Sequence, residues 1–171
     1  MTDVPQLPPS LLGVTAFVLS KTGLAGRRGM GERLESMGLG LWHMAVLAAL
    51  ADFGPASQRD LGRRLGIDAS DLVAVMDALL PPRLVDRGRD PADRRRYSVS
   101  ITAEGRAALD EALRRAAEVH DDILRALDAQ EREMLHRLLR KAYASLDPRA
   151  VLLPGETDVP MERETPISSP S

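Results

Sequence analysis

The chain has 171 residues, of which 44% are hydrophobic but only 3% are aromatic. That is enough apolar material for one compact domain, and a core built mainly from aliphatic side chains favours helices over an all-β fold. Because the chain has no cysteine, and its three histidines do not follow a zinc-binding spacing, we predict no disulfide, no thiolate chemistry and no metal site.

The two ends of the chain show no targeting or membrane signal. The first residues lack the charged and then apolar pattern of a signal peptide, and no apolar run approaches the roughly 18 residues that span a bilayer. We therefore expect a cytoplasmic protein with no membrane partner. We also expect a flexible N-terminus over residues 1–9, one domain over residues 10–146, and a disordered tail over residues 147–171, which contains five prolines.

Two helices are predicted before residue 54. Ser10 can cap the first, over about residues 10–36, and glycines after about Lys21 predict that it bends or breaks there. These glycines are Gly23, Gly26, Gly29 and Gly31. The second runs from Leu39 to Phe53 and ends at Gly54-Pro55, and its apolar composition indicates that it is mostly buried.

A helix-turn-helix follows. Ser57, with Asp60 three places later, is a capping signature that opens a short helix ending at Gly66. Asp68, with Asp71 three places later, opens a second helix that stops before two prolines. Two short helices separated by so tight a turn are typical of this motif.

An arginine-rich hairpin comes next. Short strands are predicted at Leu84-Val85 and at Tyr97–Ile101, where alternate residues are apolar. Between Arg83 and Arg96 the chain has six arginines and three aspartates, a local charge of +3, whereas the whole chain has a net charge of −2. Positive charge concentrated in this way indicates a phosphate-binding hairpin tip, although a solvated surface loop is the alternative.

Two amphipathic helices complete the predicted domain. Thr102 caps a long helix that extends to about Leu127. A capping box at Asp128 and Glu131 opens a last helix, which extends to about Leu146. Both helices carry apolar rows that a chain of this size has little left to cover, and such rows indicate a dimer interface.

The stretch from Ser57 to Leu109 closely resembles the MarR (multiple-antibiotic-resistance regulator) family of bacterial winged-helix transcription factors. The residues that carry the resemblance are Ser57, Gln58, Leu61, Leu65, Gly66, Ser70, Asp77, Leu79, Leu84, Val85, Arg87, the run Asp90-Pro91-Ala92-Asp93-Arg94-Arg95, Ile101, Thr102 and Gly105. The segment over residues 41–47 also looks like the family's second helix. The resemblance implies a mainly α winged helix-turn-helix with a small β-hairpin. It further implies a DNA-binding lobe at about 39–102 and dimerisation helices at about 10–36 and 103–146.

The resemblance also implies how DNA is bound. Each homodimer would place its helix-turn-helix pair in successive major grooves of a pseudo-palindromic site, and each wing would reach the flanking minor groove. The aspartate at Asp93 would brace the wing, and Arg94 or Arg95 would approach the groove. Where family members often carry a basic residue, this chain has only alanines, at Ala69, Ala74 and Ala78.

Candidate DNA contacts follow from side-chain chemistry and from the wing motif. Gln58 can pair with an adenine edge, and Asp71 can accept from a cytosine amino group, unless Asp71 serves only as a cap. Arginines on the first short helix, including Arg64, are candidates for phosphate contacts or for a solvated face. The predicted DNA-binding residues are Ser57, Gln58, Arg59, Arg63, Ser70, Asp71, Arg89, Asp93, Arg94, Arg95 and Arg96.

An effector site is the second activity that the resemblance implies, for a small aromatic or lipophilic molecule. Phe17, Met37, Trp42 and His43 are the candidates, although a tryptophan on an apolar helix is usually part of a core. The sequence shows no nucleophile elbow or phosphate-binding loop, so we expect neither an enzyme nor a cofactor. We predict a sequence-specific, ligand-responsive repressor that binds double-stranded DNA. The alternative is a winged-helix interaction module with only weak DNA binding.

Overall fold

The computed structural model describes residues 6–89 and 97–150. Helices α1 to α5 span Pro9–Leu12, Thr15–Glu35, Leu41–Phe53, Gln58–Leu65 and Ala69–Leu79; strands β1 and β2 span Val85–Arg89 and Tyr97–Ile101; α6 and α7 span Ala103–Ile123 and Ala129–Leu146. This order confirms the predicted winged helix-turn-helix. The chain divides into two units, Met1–Arg125 and Ala126–Ser171, and α7 belongs to the second.

The core of the first unit is aliphatic, as the composition predicted. It gathers buried side chains from α2 to α6 and from both strands, and no described residue in it is aromatic. Its largest fully buried members are Leu34, Val46, Leu47, Leu50, Leu61, Met76, Leu79 and Val85. The helix-turn-helix and the hairpin therefore share one core.

The first predicted helix is two helices, and the predicted break is wrong. The chain leaves the helix at Gly13, and α2 then continues through all four later glycines. Ser10 lies inside α1 and does not cap it. At Gly29 a β-carbon would lie 2.8 Å from Val119 Cγ1, so this glycine allows α6 to pack closely against α2. The close approach of α6 stabilises α2 where glycine propensity alone predicts a break.

Helix α3 ends where the sequence predicted and begins two residues later. Gly54 terminates it with a φ of +79°, a conformation that glycine adopts without strain. Val46, Leu47 and Leu50 are buried, which confirms the mostly buried character. Trp42, however, is 42% exposed and does not belong to the core.

The two helices of the helix-turn-helix are joined by a short turn. The Ser57 hydroxyl oxygen accepts a hydrogen bond from the Asp60 backbone N–H at 3.1 Å, which confirms the predicted cap of α4. Gly66 ends α4 with a φ of +68°. Asp68 occupies the N-cap position of α5 with an extended backbone, but its side chain makes no capping hydrogen bond. The start of α5 is therefore as predicted, whereas its capping bond is absent.

The hairpin is longer than predicted on its first strand. β1 pairs antiparallel with β2 in a register that runs from Val85 opposite Ile101 to Arg89 opposite Tyr97. Ala56 adds a bridge on the other side of β2, because its backbone exchanges two hydrogen bonds with Val99, at 3.0 and 2.8 Å. The chain just before α4 is thus attached to the hairpin.

Helix α6 begins at a tight junction with the first strand. Its cap is Thr102, whose hydroxyl accepts from the Gly105 N–H at 2.9 Å and donates to the Arg83 carbonyl at 2.7 Å. A β-carbon on Gly105 would lie only 2.0 Å from the Leu84 carbonyl oxygen. The helix ends at Ile123, about one turn before the predicted end.

Ion pairs join α2 to α6. The Arg33 guanidinium contacts Glu118 at 3.1 Å and Asp122 at 2.9 Å. On α6 itself, hydrogen bonds from Arg114 and Arg115 lower the pKa of Glu111 to about 2. These contacts lie near the surface, so packing of the helices contributes more to stability than the charges do.

In the second unit, α7 starts at the predicted capping box. The Asp128 side chain accepts from the Glu131 N–H at 2.9 Å, and the Glu131 side chain accepts from the Asp128 N–H at 2.9 Å. Large apolar side chains remain exposed along this helix, namely Met134, Leu138, Leu139, Tyr143 and Leu146. None of the described helices in either unit combines the length and the apolar character needed to cross a membrane.

Candidate nucleic-acid interface

Helix α5 has one buried face and one exposed face. Leu72, Val75, Met76 and Leu79 enter the core, as their spacing predicted. The exposed residues are Ala69, Ser70, Asp71, Val73, Ala74, Asp77 and Ala78. At about 100° per residue, Ser70, Ala74 and Asp77 fall near the middle of this face, Val73 lies toward the side that borders α4, and Asp71 lies at the opposite edge. The edge position supports a role for Asp71 at the helix N-terminus more than a base contact.

A groove runs between α4 and the start of α5. Gln58, Arg59, Gly62 and Arg63 line it from α4, and Ala69, Leu72 and Val73 line it from α5. Helix α4 lies close to the turn and to α5, because a β-carbon on Gly62 would lie 3.1 Å from the Ile67 carbonyl oxygen and 3.5 Å from Leu72 Cδ2. Arg59 and Arg63 thus border an apolar floor, as phosphate contacts beside a base-reading helix would.

Arg63 has a partner inside α4 but stays accessible. Its guanidinium contacts the Asp60 carboxylate at 2.9 Å, while 81% of the side chain is exposed. The Ser57 hydroxyl donates to the same carboxylate at 2.7 Å, so Ser57 is held in place as the cap. An exposed ion pair of this kind is weak enough for a phosphate to replace the carboxylate.

A second groove lies between α4 and the hairpin. Gln58 lines it together with Arg87, Tyr97, Ser98 and Val99. The Gln58 side-chain nitrogen is buried and has no hydrogen-bond partner among the described residues. Because Gln58 lines both grooves, it lies where they meet.

The base of the wing carries exposed arginines. Arg87 and Arg89 are both exposed on β1. The Arg89 guanidinium lies 4.2 Å from the centre of the Tyr97 ring, a stacking contact that holds the arginine on the hairpin surface. The wing residues Asp93, Arg94, Arg95 and Arg96 fall outside the described residues, and their predicted roles stay predictions.

Arg64 does not line the groove that Arg59 and Arg63 border. Its guanidinium lies 3.8 Å from the centre of the Phe53 ring, at the end of α3. This contact covers part of a phenylalanine that is 63% exposed. Arg64 is thus better placed to pack against α3 than to bind phosphate.

Two of the four candidate effector residues, Phe17 and Met37, lie at opposite ends of α2. Phe17 lies at the start of α2, and Met37 follows the end of that helix and packs against the core. The helix between them places them about 27 Å apart at 1.5 Å per residue. A small ligand can therefore contact both only if a second protomer supplies one of them, and the effector site at these residues stays a prediction.

His43 has a structural task at the start of α3. Its Nδ1 accepts a hydrogen bond from the Gly40 backbone N–H at 2.6 Å. Burial lowers the pKa of His43 from its usual value of 6.5, which keeps the ring neutral and able to accept. Trp42, beside it, is accessible to a ligand.

Among the described residues, no group of three or more His, Asp or Glu side chains is arranged to hold a metal ion.

A helix-turn-helix followed by an arginine-rich hairpin, with one exposed helix face and bordering arginines, defines a winged helix-turn-helix protein. The sequence profile described as the MarR family matches residues 37–96 of the chain. The transcriptional repressor NicR of Pseudomonas putida is 35% identical over 100 residues, a match that covers 58% of this chain and 63% of NicR, less than two thirds of its length.

Solved structures agree with this match. A probable transcriptional regulator from Pseudomonas aeruginosa is 32% identical, with a TM-score of 0.62 over 75% of this chain and 96% of that protein. CouR from Rhodococcus jostii RHA1, solved with bound p-coumaroyl-CoA, is 26% identical, with a TM-score of 0.67 over 80% of this chain and 93% of CouR. The chain belongs to the MarR family of transcriptional regulators.

Proposed function

We propose that the chain is a transcriptional regulator that binds a specific, pseudo-palindromic site on double-stranded DNA as a homodimer. The observation that carries the proposal is the groove in which Arg59 and Arg63 border the exposed face of α5. Phosphate contacts from such arginines position a helix in the major groove, and the exposed face of α5 beside them reads base edges. Arg87 and Arg89 extend the basic surface to the wing.

A homodimer accounts for the apolar surface of the terminal helices. Large apolar side chains are exposed on and around α1 and α2, namely Leu7, Leu11, Leu12, Val14, Val18, Leu19 and Leu24, and another such set is exposed on α7. Exposed apolar sets of this kind are typical of an interface, and a two-fold dimer buries the same patch on both subunits. Two DNA-binding lobes would then address two half-sites about one helical turn apart.

Repression relieved by a small aromatic ligand is the regulatory mode that we propose. NicR is named a repressor, and CouR was solved with an aromatic acyl-CoA. In this chain the exposed indole of Trp42 offers an aromatic surface at the start of α3. The proposal places the protein in the cytoplasm and requires no catalytic activity, cofactor or metal.

One observation favours a second candidate function. Helix α5, described over its full length, contains no lysine or arginine, and two aspartates stand on its exposed side. A winged helix that recognises a protein partner, and binds DNA only weakly, would tolerate such a helix. The two functions predict a different dependence of DNA affinity on salt. Weak, non-specific binding relies on phosphate contacts alone and is lost as the salt concentration rises.

Fluorescence anisotropy distinguishes the two functions. Labelled duplexes from the DNA flanking the gene are titrated with the protein in about 150 mM salt, with a scrambled duplex as competitor. The regulator requires at least one duplex that is bound by one dimer and keeps its signal against the competitor. Binding that is equal for flanking and scrambled DNA, and is lost at this salt concentration, would instead support the interaction module.

A further inference from the structure

The side of the exposed face of α5 that borders α4 is a hydrocarbon surface. Val73 is 50% exposed and lies one turn after Ala69 and one turn before Asp77. Ala74 is exposed beside it. The valine side chain has no polar atom to offer a base, so its only favourable contact in a major groove is apolar.

The arginines of α4 fix what Val73 would meet. Val73 lines the same groove as Arg59 and Arg63, whose guanidinium groups favour phosphate oxygens at the groove edge. With the phosphates held there, the exposed face of α5 beside these arginines is turned to the bases. Val73 is then the largest apolar group on that face.

The remaining side chains on this face disfavour guanine. The usual contact to guanine is a cation on its O6 and N7 acceptors, and α5 has no cation. The carboxylate of Asp77, exposed one turn from Val73, would repel those acceptors. The apolar group that B-DNA does present in the major groove is the C5-methyl of thymine.

The Gln58 amide adds the complementary contact. Its side chain lines the same groove as Val73, and its nitrogen, which is buried without a partner among the described residues, gains one when the side chain turns outward to a base. A glutamine amide can donate to N7 and accept from N6 of adenine. An A·T pair offers an adenine edge and a thymine methyl together.

We propose that this chain reads A·T pairs in the major groove of each half-site, with Val73 packed on a thymine methyl group and Gln58 paired with an adenine. The inference rests on the proposed function and names the bases that the same site selects. Asp71 has no part in this readout.

The test begins with a site selected from a random duplex pool by the full-length protein. Each thymine of a half-site is then replaced, one at a time, by deoxyuridine, which removes the methyl group and keeps the base pairing. One buried methyl group corresponds to about a fourfold change in affinity, and about fifteenfold when both half-sites are changed. We expect a loss of this size for at least one thymine in each half-site, and none for thymines outside them.

A substitution cycle assigns the contact to Val73. Val73→Ala removes two methyl groups from an exposed position, so the protein stays folded, as circular dichroism will show. The preference for thymine over deoxyuridine should fall from about fourfold to near unity. Phe53→Leu changes an apolar side chain that is 63% exposed at the end of α3, outside both the DNA-binding face and the proposed dimer surface, and should keep the parent preference.

The outcomes separate this inference from the function on which it rests. A selection that yields no preferred sequence overturns both. A preferred site at which no thymine responds to deoxyuridine overturns the inference alone. A response that persists unchanged in Val73→Ala also overturns it, because another residue then contacts the methyl group.

Discussion

Gly105→Ala should destabilise the protein by driving the start of α6 away from the first strand. The new β-carbon would lie 2.0 Å from the Leu84 carbonyl oxygen and 2.8 Å from Ile101 Cγ1. Carbon and oxygen need more than about 3 Å, so the helix must move by about 1 Å against backbone that cannot yield cheaply. That shift stretches the Thr102 cap, which spans 2.9 Å to Gly105 N–H and 2.7 Å to the Arg83 carbonyl.

The loss of stability expected for Gly105→Ala is the sum of three contributions. Overpacking against a rigid neighbour costs about 1–3 kcal/mol, and weakening a threonine cap costs about 1 kcal/mol. The better helix propensity of alanine offsets less than about 1 kcal/mol. We expect a net loss of about 2–3 kcal/mol, which lowers the melting temperature by about 4–12 °C for a chain of this size.

Thermal unfolding followed by circular dichroism measures this loss, and the chain offers a matched control. Gly31 is also helical, but a β-carbon there would meet nothing within 4 Å. Gly31→Ala should therefore raise stability by about 0.8–1 kcal/mol. Both variants are compared with the parent at one protein concentration, because the proposed dimerisation would make the melting temperature depend on concentration. If Gly105→Ala melts within about 1 °C of the parent, α6 does not pack as closely against the Leu84 carbonyl, just before the first strand, as the structure shows.

Three further expectations concern the wing, the cap of α3 and the dimer. Arg94→Ala with Arg95→Ala should weaken binding to all duplexes alike and flatten the salt dependence by about 0.9 for each phosphate that is no longer neutralised; an unchanged slope in anisotropy titrations would contradict the wing assignment. Because burial lowers the pKa of His43 from 6.5, the unfolded chain binds the proton more tightly, so stability should fall as the pH drops below 6.5. His43→Gln keeps an acceptor for the Gly40 N–H and should remove this dependence in urea titrations across that range. Leu138→Glu places a charge on an α7 side chain that is 51% exposed, and should yield monomers in sedimentation velocity; a stable dimer would place the interface elsewhere.

Local signals predicted most of the fold. The capping residues Ser57, Thr102 and Asp128 each form the expected hydrogen bond, because such bonds depend on residues three places apart. The prediction of a break in the first helix failed because it depends on a contact that is distant in sequence. Helix α2 persists because α6 packs on Gly29. The contact is with Val119, ninety positions later, so the residues near Gly29 do not predict it.

The candidate site was only partly visible in the sequence. Val73 and Asp77 were not predicted as DNA contacts, although the spacing of Leu72, Val75 and Met76 already implied that Val73 faces outward. The pairing of Arg64 with Phe53 and of Arg89 with Tyr97 depends on side-chain directions that spacing does not fix. The roles expected for Asp93, Arg94, Arg95 and Arg96 remain sequence predictions.

The backbone bridge between Ala56 and Val99 limits how a ligand could release DNA. Ala56 is followed directly by Ser57 and Gln58. The two hydrogen bonds to Val99, at 3.0 and 2.8 Å, therefore attach the start of α4 to β2. Independent bending of the wing would have to break this pair, at about 1 kcal/mol for each bond. Each lobe is therefore expected to move as one body, and an effector would act by changing the distance and angle between the two lobes of a dimer. The DNA-contacting face of each lobe would then stay intact on release. The spacing between the two lobes would no longer match the helical repeat of DNA.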